Sequence, residues 1–184
     1  MERPQKIKTP LTDEIVKSLH TGDMVLLSGE VYTARDVAHR RLNDALIKGE
    51  SLPIDLPKAV LFYAAPTPPP PGKVIGSIGP TTSSRMDFFT PKLIENGIRG
   101  MIGKGSRSPE VVDAIKKHNA VYFGAIGGIA ALMSQCVKKM ELVAYEDLGP
   151  EAIRKLTLVD LPLVVINDSQ GDDLYIFEQR KWRV

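Results

Sequence analysis

Short apolar runs alternate along most of this chain with segments whose apolar residues recur at every third or fourth position. A short run bounded by glycine or polar turns predicts a buried strand, and the longer period predicts a helix with one apolar stripe. Residues 24–29 read as a strand ended by Gly29. Val37, Ala38, Leu42, Ala45 and Leu46 then carry a helical period to about Lys48, with Gly49 as its stop. Thr33 and Asp36 stand at capping-box spacing before that helix, Asp36 replacing the usual Glu or Gln. Strands are predicted over 59–63, 73–78, 98–103 and 120–123. Helices are predicted over 86–96, from Pro109 behind the cap Ser108, and from the 124–128 glycines through about Lys139. The remainder reads as strand-rich, at 141–145, 156–159, 163–166 and 174–177, with 167–172 as a turn. Such alternation predicts an α/β fold. The proline run at 66–72 must be extended and reads as a stiff surface connection, with docking of a proline-binding partner as the alternative. No internal repeat is visible.

At 184 residues the chain fits one domain, 1–184, and its 43% hydrophobic and 25% charged residues are ordinary for a globular protein. Twenty-four basic residues against 22 acidic leave a net charge of +2 with no long basic run, so nucleic acid is not an expected partner. No apolar run approaches the roughly 20 residues of a membrane span, and residues 1–6 lack a signal-peptide core, so a cytoplasmic location is expected. The single cysteine, Cys136, excludes an intrachain disulfide and reads as core. It also excludes an iron–sulfur cluster held by this chain's cysteines alone. His20, His39 and His118 are too scattered to imply a metal site.

The chemistry concentrates at loop-to-helix junctions. Gly79-Pro80-Thr81-Thr82-Ser83-Ser84-Arg85-Met86-Asp87 combines a turn, hydroxyl donors and a guanidinium ahead of a helical segment, which suits a carboxylate or phosphate. Arg35 lies in the first turn of one helix and Lys104 just ahead of another. A cation there opposes the helix dipole by about 0.3 to 1 kcal/mol, so three such placements point to a shared anion, and a dicarboxylate would use all three. Asp36 and Asp87 follow their arginines closely enough to orient them. Helix caps with local surface ion pairs are the alternative reading. His39, one turn after Arg35 on the same face, could reach the same ligand. Residues 98–106 fail as a P-loop, with Ile98 in place of the first glycine and Gly105 after the lysine, and the 124–128 glycines lack dinucleotide spacing.

These segments resemble the class I iron–sulfur hydro-lyases, the fumarases and L-tartrate dehydratases. The likeness is to their β subunit, equivalent to the carboxy-terminal domain of single-chain class I fumarases. It is carried by the 79–87 loop, Ala34-Arg35-Asp36-Val37-Ala38-His39, Gly103-Lys104-Gly105-Ser106-Arg107-Ser108 and the 124–128 glycines, in the family's order. The resemblance implies a three-layer swivelling β/β/α domain with a mixed sheet. It also implies a fumarase α subunit as partner in a hetero-oligomer, bearing the [4Fe-4S] cluster that this chain does not ligate. The implied activity is reversible hydration of fumarate in the tricarboxylic acid cycle, absent from this chain alone, with the cluster's open iron as Lewis acid. An L-tartrate dehydratase β subunit, or a non-enzymatic dicarboxylate-binding module, are the alternatives. By the same resemblance Thr81 is the catalytic base or proton relay, and Arg35, Arg85, Lys104, Thr82 and His39 bind substrate. Ser84 departs from the family, which usually has glycine there.

Overall fold

The computed structural model describes residues 3–182. In chain order they form β1 (Gln5–Lys8), α1 (Asp13–Ser18), β2 (Met24–Thr33), α2 (Asp36–Lys48), β3 (Val60–Phe62), α3 (Thr90–Glu95), β4 (Gly100–Gly103), α4 (Pro109–His118), β5 (Val121–Gly124), α5 (Ala130–Gln135), β6 (Val137–Ala144), β7 (Ile153–Asn167) and α6 (Leu174–Lys181). Short 3-10 turns occupy Ser83–Met86 and Glu146–Glu151. The architecture is α/β with a mixed sheet in the order β1-β2-β3-β4-β5-β7-β6. Strands β2 to β5 run parallel, while β7 runs antiparallel to both β5 and β2 and so closes the sheet into a ring. Among the described residues no helix is long and apolar enough to cross a membrane.

Period-two alternation in the buried strands divides the core in two. Val60, Phe62, Ile102, Val121 and Phe123 face a cluster inside the ring, which Leu11, Val16, Leu19 and Met133 close off. Leu61, Tyr63, Met101 and Tyr122 face the other way, toward Ala38 and Leu42 of α2, Leu93 and Ile94 of α3, and Val111 and Ile115 of α4. Because both faces are covered, these strands read as unbroken apolar runs.

Several elements depart from the sequence expectation. Residues 73–78 form no strand. They belong to a loop whose ends meet where Thr67 N donates to Ser77 O at 3.0 Å, and only Ile75 and Ile78 reach the core. The close approach of Gly76 to Thr67 and Pro68 there leaves no room for a Cβ. Residues 174–177 open a helix instead of a strand, because Asp173 caps it by accepting from Tyr175 N and Ile176 N. The two predicted strands at 156–159 and 163–166 are one, β7, bent at Asp160 (φ 51°) before Pro162. Helix α5 ends at Gln135, where pairing with β7 takes over. Thr33 is not a cap. It ends β2, its hydroxyl donating to Ala152 O and accepting from Arg154 N, and Arg35 holds the N-cap position of α2 with no side-chain cap.

Candidate functional site

Four parallel neighbours end at the same edge of the sheet, and each delivers one of the singled-out segments there. Arg35 follows β2, Lys104 follows β4, and the 124–128 glycines follow β5. Thr81 is tied to the end of β3 by its N–H, which donates to Tyr63 O at 2.7 Å. Lys104 N donates to Thr81 O and Ser83 N to Lys104 O, so Thr82 and Lys104 pair as neighbouring extended residues. A Cβ placed on Gly127 would lie 3.9 Å from Lys104 Cδ, so the lysine stem runs toward the glycine loop. Strands β2 and β4 are two inter-strand spacings apart, about 10 Å, which leaves Arg35 and Lys104 on either side of the Thr81 segment. The carboxyl edge of parallel strands is where open α/β sheets bind ligands. Thr82, Lys104 and Arg85 are exposed, and Thr81 is half-buried.

The two arginines meet through one carboxylate. Arg85 Nη2 donates to Asp36 Oδ2 at 2.7 Å, while Arg35 Nε lies 3.7 Å from Asp36 Oδ1. Arg35 Nη1 lies 3.1 Å from Glu151 Oε1. Asp36 therefore links two loops 49 residues apart, where the sequence suggested a local pair. Arg35 Nε and Asp36 Oδ1, 3.7 Å apart, are both buried without a hydrogen-bond partner, a polar deficit at the carboxylate that joins the two arginines.

Asp87 turns away from Arg85. Its carboxylate accepts from Arg107 Nε at 2.7 Å and from Ser108 N at 2.7 Å, which caps α4 in place of the Ser108 side chain. The Arg107 side chain is fully enclosed, lies between the Tyr63 and Tyr122 rings (5.2 and 4.8 Å to their centroids), and donates to Thr90 Oγ1 and Tyr63 OH. Burial alone would lower its pKa. The Tyr63, Asp87 and Tyr122 fields, with the Asp87 hydrogen bond, more than offset that, so Arg107 stays charged. Tyr122 OH donates to Gly105 O at 2.9 Å and shares a 2.8 Å hydrogen bond with Ser83 Oγ, and burial first of all raises its pKa. Gly103 is required here, since a Cβ would come within 2.9 Å of the Tyr63 ring and closer still to Ser83 Oγ.

His39 is not at the surface. It is fully buried, its ring edge-on to Tyr63 at 5.0 Å, with Nδ1 2.9 Å from Arg35 O and Nε2 unpartnered. Desolvation lowers its pKa to about 4, so it is neutral near pH 7 and Nδ1–H donates to the Arg35 carbonyl. That bond steadies the backbone of Arg35 from below.

Thus Arg35, Arg85, Lys104, Thr81 and Thr82 share one edge, and His39 lies beneath it. Sequence reasoning missed Arg107, Tyr122 and Glu151. Arg107 stood in a singled-out motif beside Lys104, but nothing local marks Glu151. Among the described residues no group of His, Cys, Asp and Glu is placed to hold a metal. Cys136 packs against the inner core with Sγ 3.8 Å from Asp160 O, and burial raises its pKa.

Residues 2–178 match the family model described as Fumarase C-terminus. The chain is 40% identical over 151 residues to the aerobic class I fumarate hydratase of Escherichia coli (strain K12), covering 81% of this chain and 28% of that protein. It is 37% identical over 156 residues to fumarate hydratase 2 of Leishmania major, covering 84% and 28%. It is 38% identical over 171 residues to the provisionally named L(+)-tartrate dehydratase subunit beta of Methanocaldococcus jannaschii, covering 90% and 88%. The chain thus spans little more than a quarter of these fumarate hydratases and most of the dehydratase subunit.

Proposed function

The chain belongs to the family of fumarase carboxy-terminal domains, and from that premise we propose that it is the β subunit of a class I fumarate hydratase. In this reading it reversibly hydrates fumarate to L-malate together with a [4Fe-4S]-bearing α subunit, as a cytoplasmic hetero-oligomer serving the tricarboxylic acid cycle, and is inactive alone. The observation that carries the reading is the arrival of Arg35, Arg85 and Lys104 at one strand edge, the arginines joined through Asp36. The mixed sheet with helices over its outer face supports assignment to the three-layer swivelling β/β/α class. The two cores share their strands, which supports reading 1–184 as one domain.

A single cysteine cannot by itself ligate an iron–sulfur cluster, so in this reading the partner holds it. The chain's own side chains act on substrate charge and protons. Arg35, Arg85 and Lys104 hold the two carboxylates, and Thr82 adds a hydroxyl donor beside Lys104. Removal of a proton alpha to a carboxylate builds negative charge on that group, so fixed cationic donors stabilise the transition state more than the ground state. Thr81, between the arginines and Lys104, is the proton relay. A threonine hydroxyl is a weak base, so it needs an activating neighbour at the moment of transfer. His39 contributes by fixing the Arg35 carbonyl.

L-Tartrate is the second candidate substrate, favoured by the near full-length match to the dehydratase subunit. The test is co-expression with a cluster-bearing α subunit, anaerobic reconstitution, and side-by-side assay of fumarate, L-tartrate and mesaconate. Fumarate hydration that needs both chains is expected. Turnover by the purified single chain, or none of the three substrates consumed by the reconstituted pair, would refute the assignment.

A further inference from the structure

Glu151 touches Arg35 from outside every motif, and its placement is built. Strand β7 begins at Ile153 and runs antiparallel to β2 with Lys155 opposite Tyr32, which brings the turn before β7 to the end of β2 where Arg35 stands. The Arg154 guanidinium donates to the carbonyls of Pro150, Ala152 and Gly149, and Thr33 Oγ1 donates to Ala152 O as well. At its other end the turn is fastened to α2 by the two-pronged Arg41–Asp147 pair. Glu151 is thus carried on a turn fixed at both sides, and its carboxylate is 29% exposed against an Arg35 side chain that is 20% exposed.

We infer that Glu151 is an internal carboxylate that occupies Arg35 in the free chain, is displaced when a substrate carboxylate binds, and thereby sets the affinity of the site for dianions. The inference rests on the carboxylate-clamp reading above. Asp36 and Glu151 pair with the two arginines, so of the three cations and two carboxylates one net positive charge is left for the ligand. The two acids differ in role. Asp36 bridges both arginines and holds them together, whereas Glu151 contacts Arg35 alone, as an ion pair at a place where a substrate carboxylate would pair. An incoming carboxylate repeats the contact that Glu151 already makes, so the gain on binding is reduced by the pair it breaks.

The test uses the full chain and succinate, an unreactive dicarboxylate, with titration followed by calorimetry and by the Arg Nε–H signals in NMR. Glu151→Gln keeps the size and the acceptor oxygen but removes the charge. The expected result is about fivefold tighter succinate binding, the factor that about 1 kcal/mol of ion-pair competition represents. In an Arg35→Gln background the same substitution should change nothing, a dependence that a merely structural role for Glu151 would not produce. Unchanged or weaker binding by Glu151→Gln, with succinate still bound by the unaltered chain, would overturn the inference and leave the clamp standing. No succinate binding by either form would overturn both. Unfolding curves of the variants exclude damage to the turn as the source of any difference.

Discussion

Arg107 should be the residue on which the 79–87 and 103–108 loops most depend, and a double-mutant cycle with Asp87 measures that dependence. Its side chain is fully enclosed, Asp87 is only 11% exposed, and the two are joined at 2.7 Å. Removing one partner of a buried pair leaves an uncompensated charge, which costs roughly 3 to 5 kcal/mol. Arg107→Met also loses the hydrogen bonds to Thr90 and Tyr63 and two ring contacts, the latter about 0.5 to 2 kcal/mol each. Against a typical stability of about 5 to 15 kcal/mol this is a large fraction. With a urea slope of about 2 kcal/mol per molar, Asp87→Ala should unfold about 2 M earlier and Arg107→Met earlier still. Asp87→Ala combined with Arg107→Met should be less destabilising than the sum of the two single variants, by about 2 to 3 kcal/mol. Additivity within about 0.5 kcal/mol would refute the claim that the buried pair organises the loops.

Three further outcomes follow from the same geometry. His39 binds a proton at about pH 4 in the folded chain and at its ordinary 6.5 when unfolded, so the unfolded state takes up more protons between these values. Stability should therefore fall as pH drops from 6.5 to 4, by about 3 kcal/mol in all; urea titrations across that range check it, and an unaltered slope in His39→Gln would contradict it. Gly103→Ala forces a methyl onto Ser83 and Tyr63, so denaturation should show a loss of about 1 to 3 kcal/mol, and a neutral effect would mean that the Ser83–Tyr122 contact is slack. In the reconstituted pair, Arg85→Ala should lower kcat about a hundredfold or more with the cluster spectrum intact, and Arg85→Lys should restore only part of it because the fork is lost. Near-normal turnover by Arg85→Ala would remove that residue from the clamp.

Much of the framework was legible because it is local. The apolar runs of β3, β4 and β5 and the stripes of α2 and α4 are periodicities that a chain carries whatever surrounds it. The 79–87 and 103–108 motifs were equally legible, since the donors of a loop-to-helix junction are neighbours in sequence. Residues 73–78 and 174–177 misled for one reason: short apolar runs specify burial but not period, and a loop closure and an aspartate cap decided their conformation. Tertiary structure alone decided the partners of the charges. It joined Asp36 to Arg85, gave Asp87 to Arg107, brought Glu151 beside Arg35 and buried His39 beneath the site. Coulomb and hydrogen-bond partners are chosen by distance through space, and distance here follows from parallel strands that end together and from β7 returning antiparallel to β2, neither of which is written at any single position of the chain.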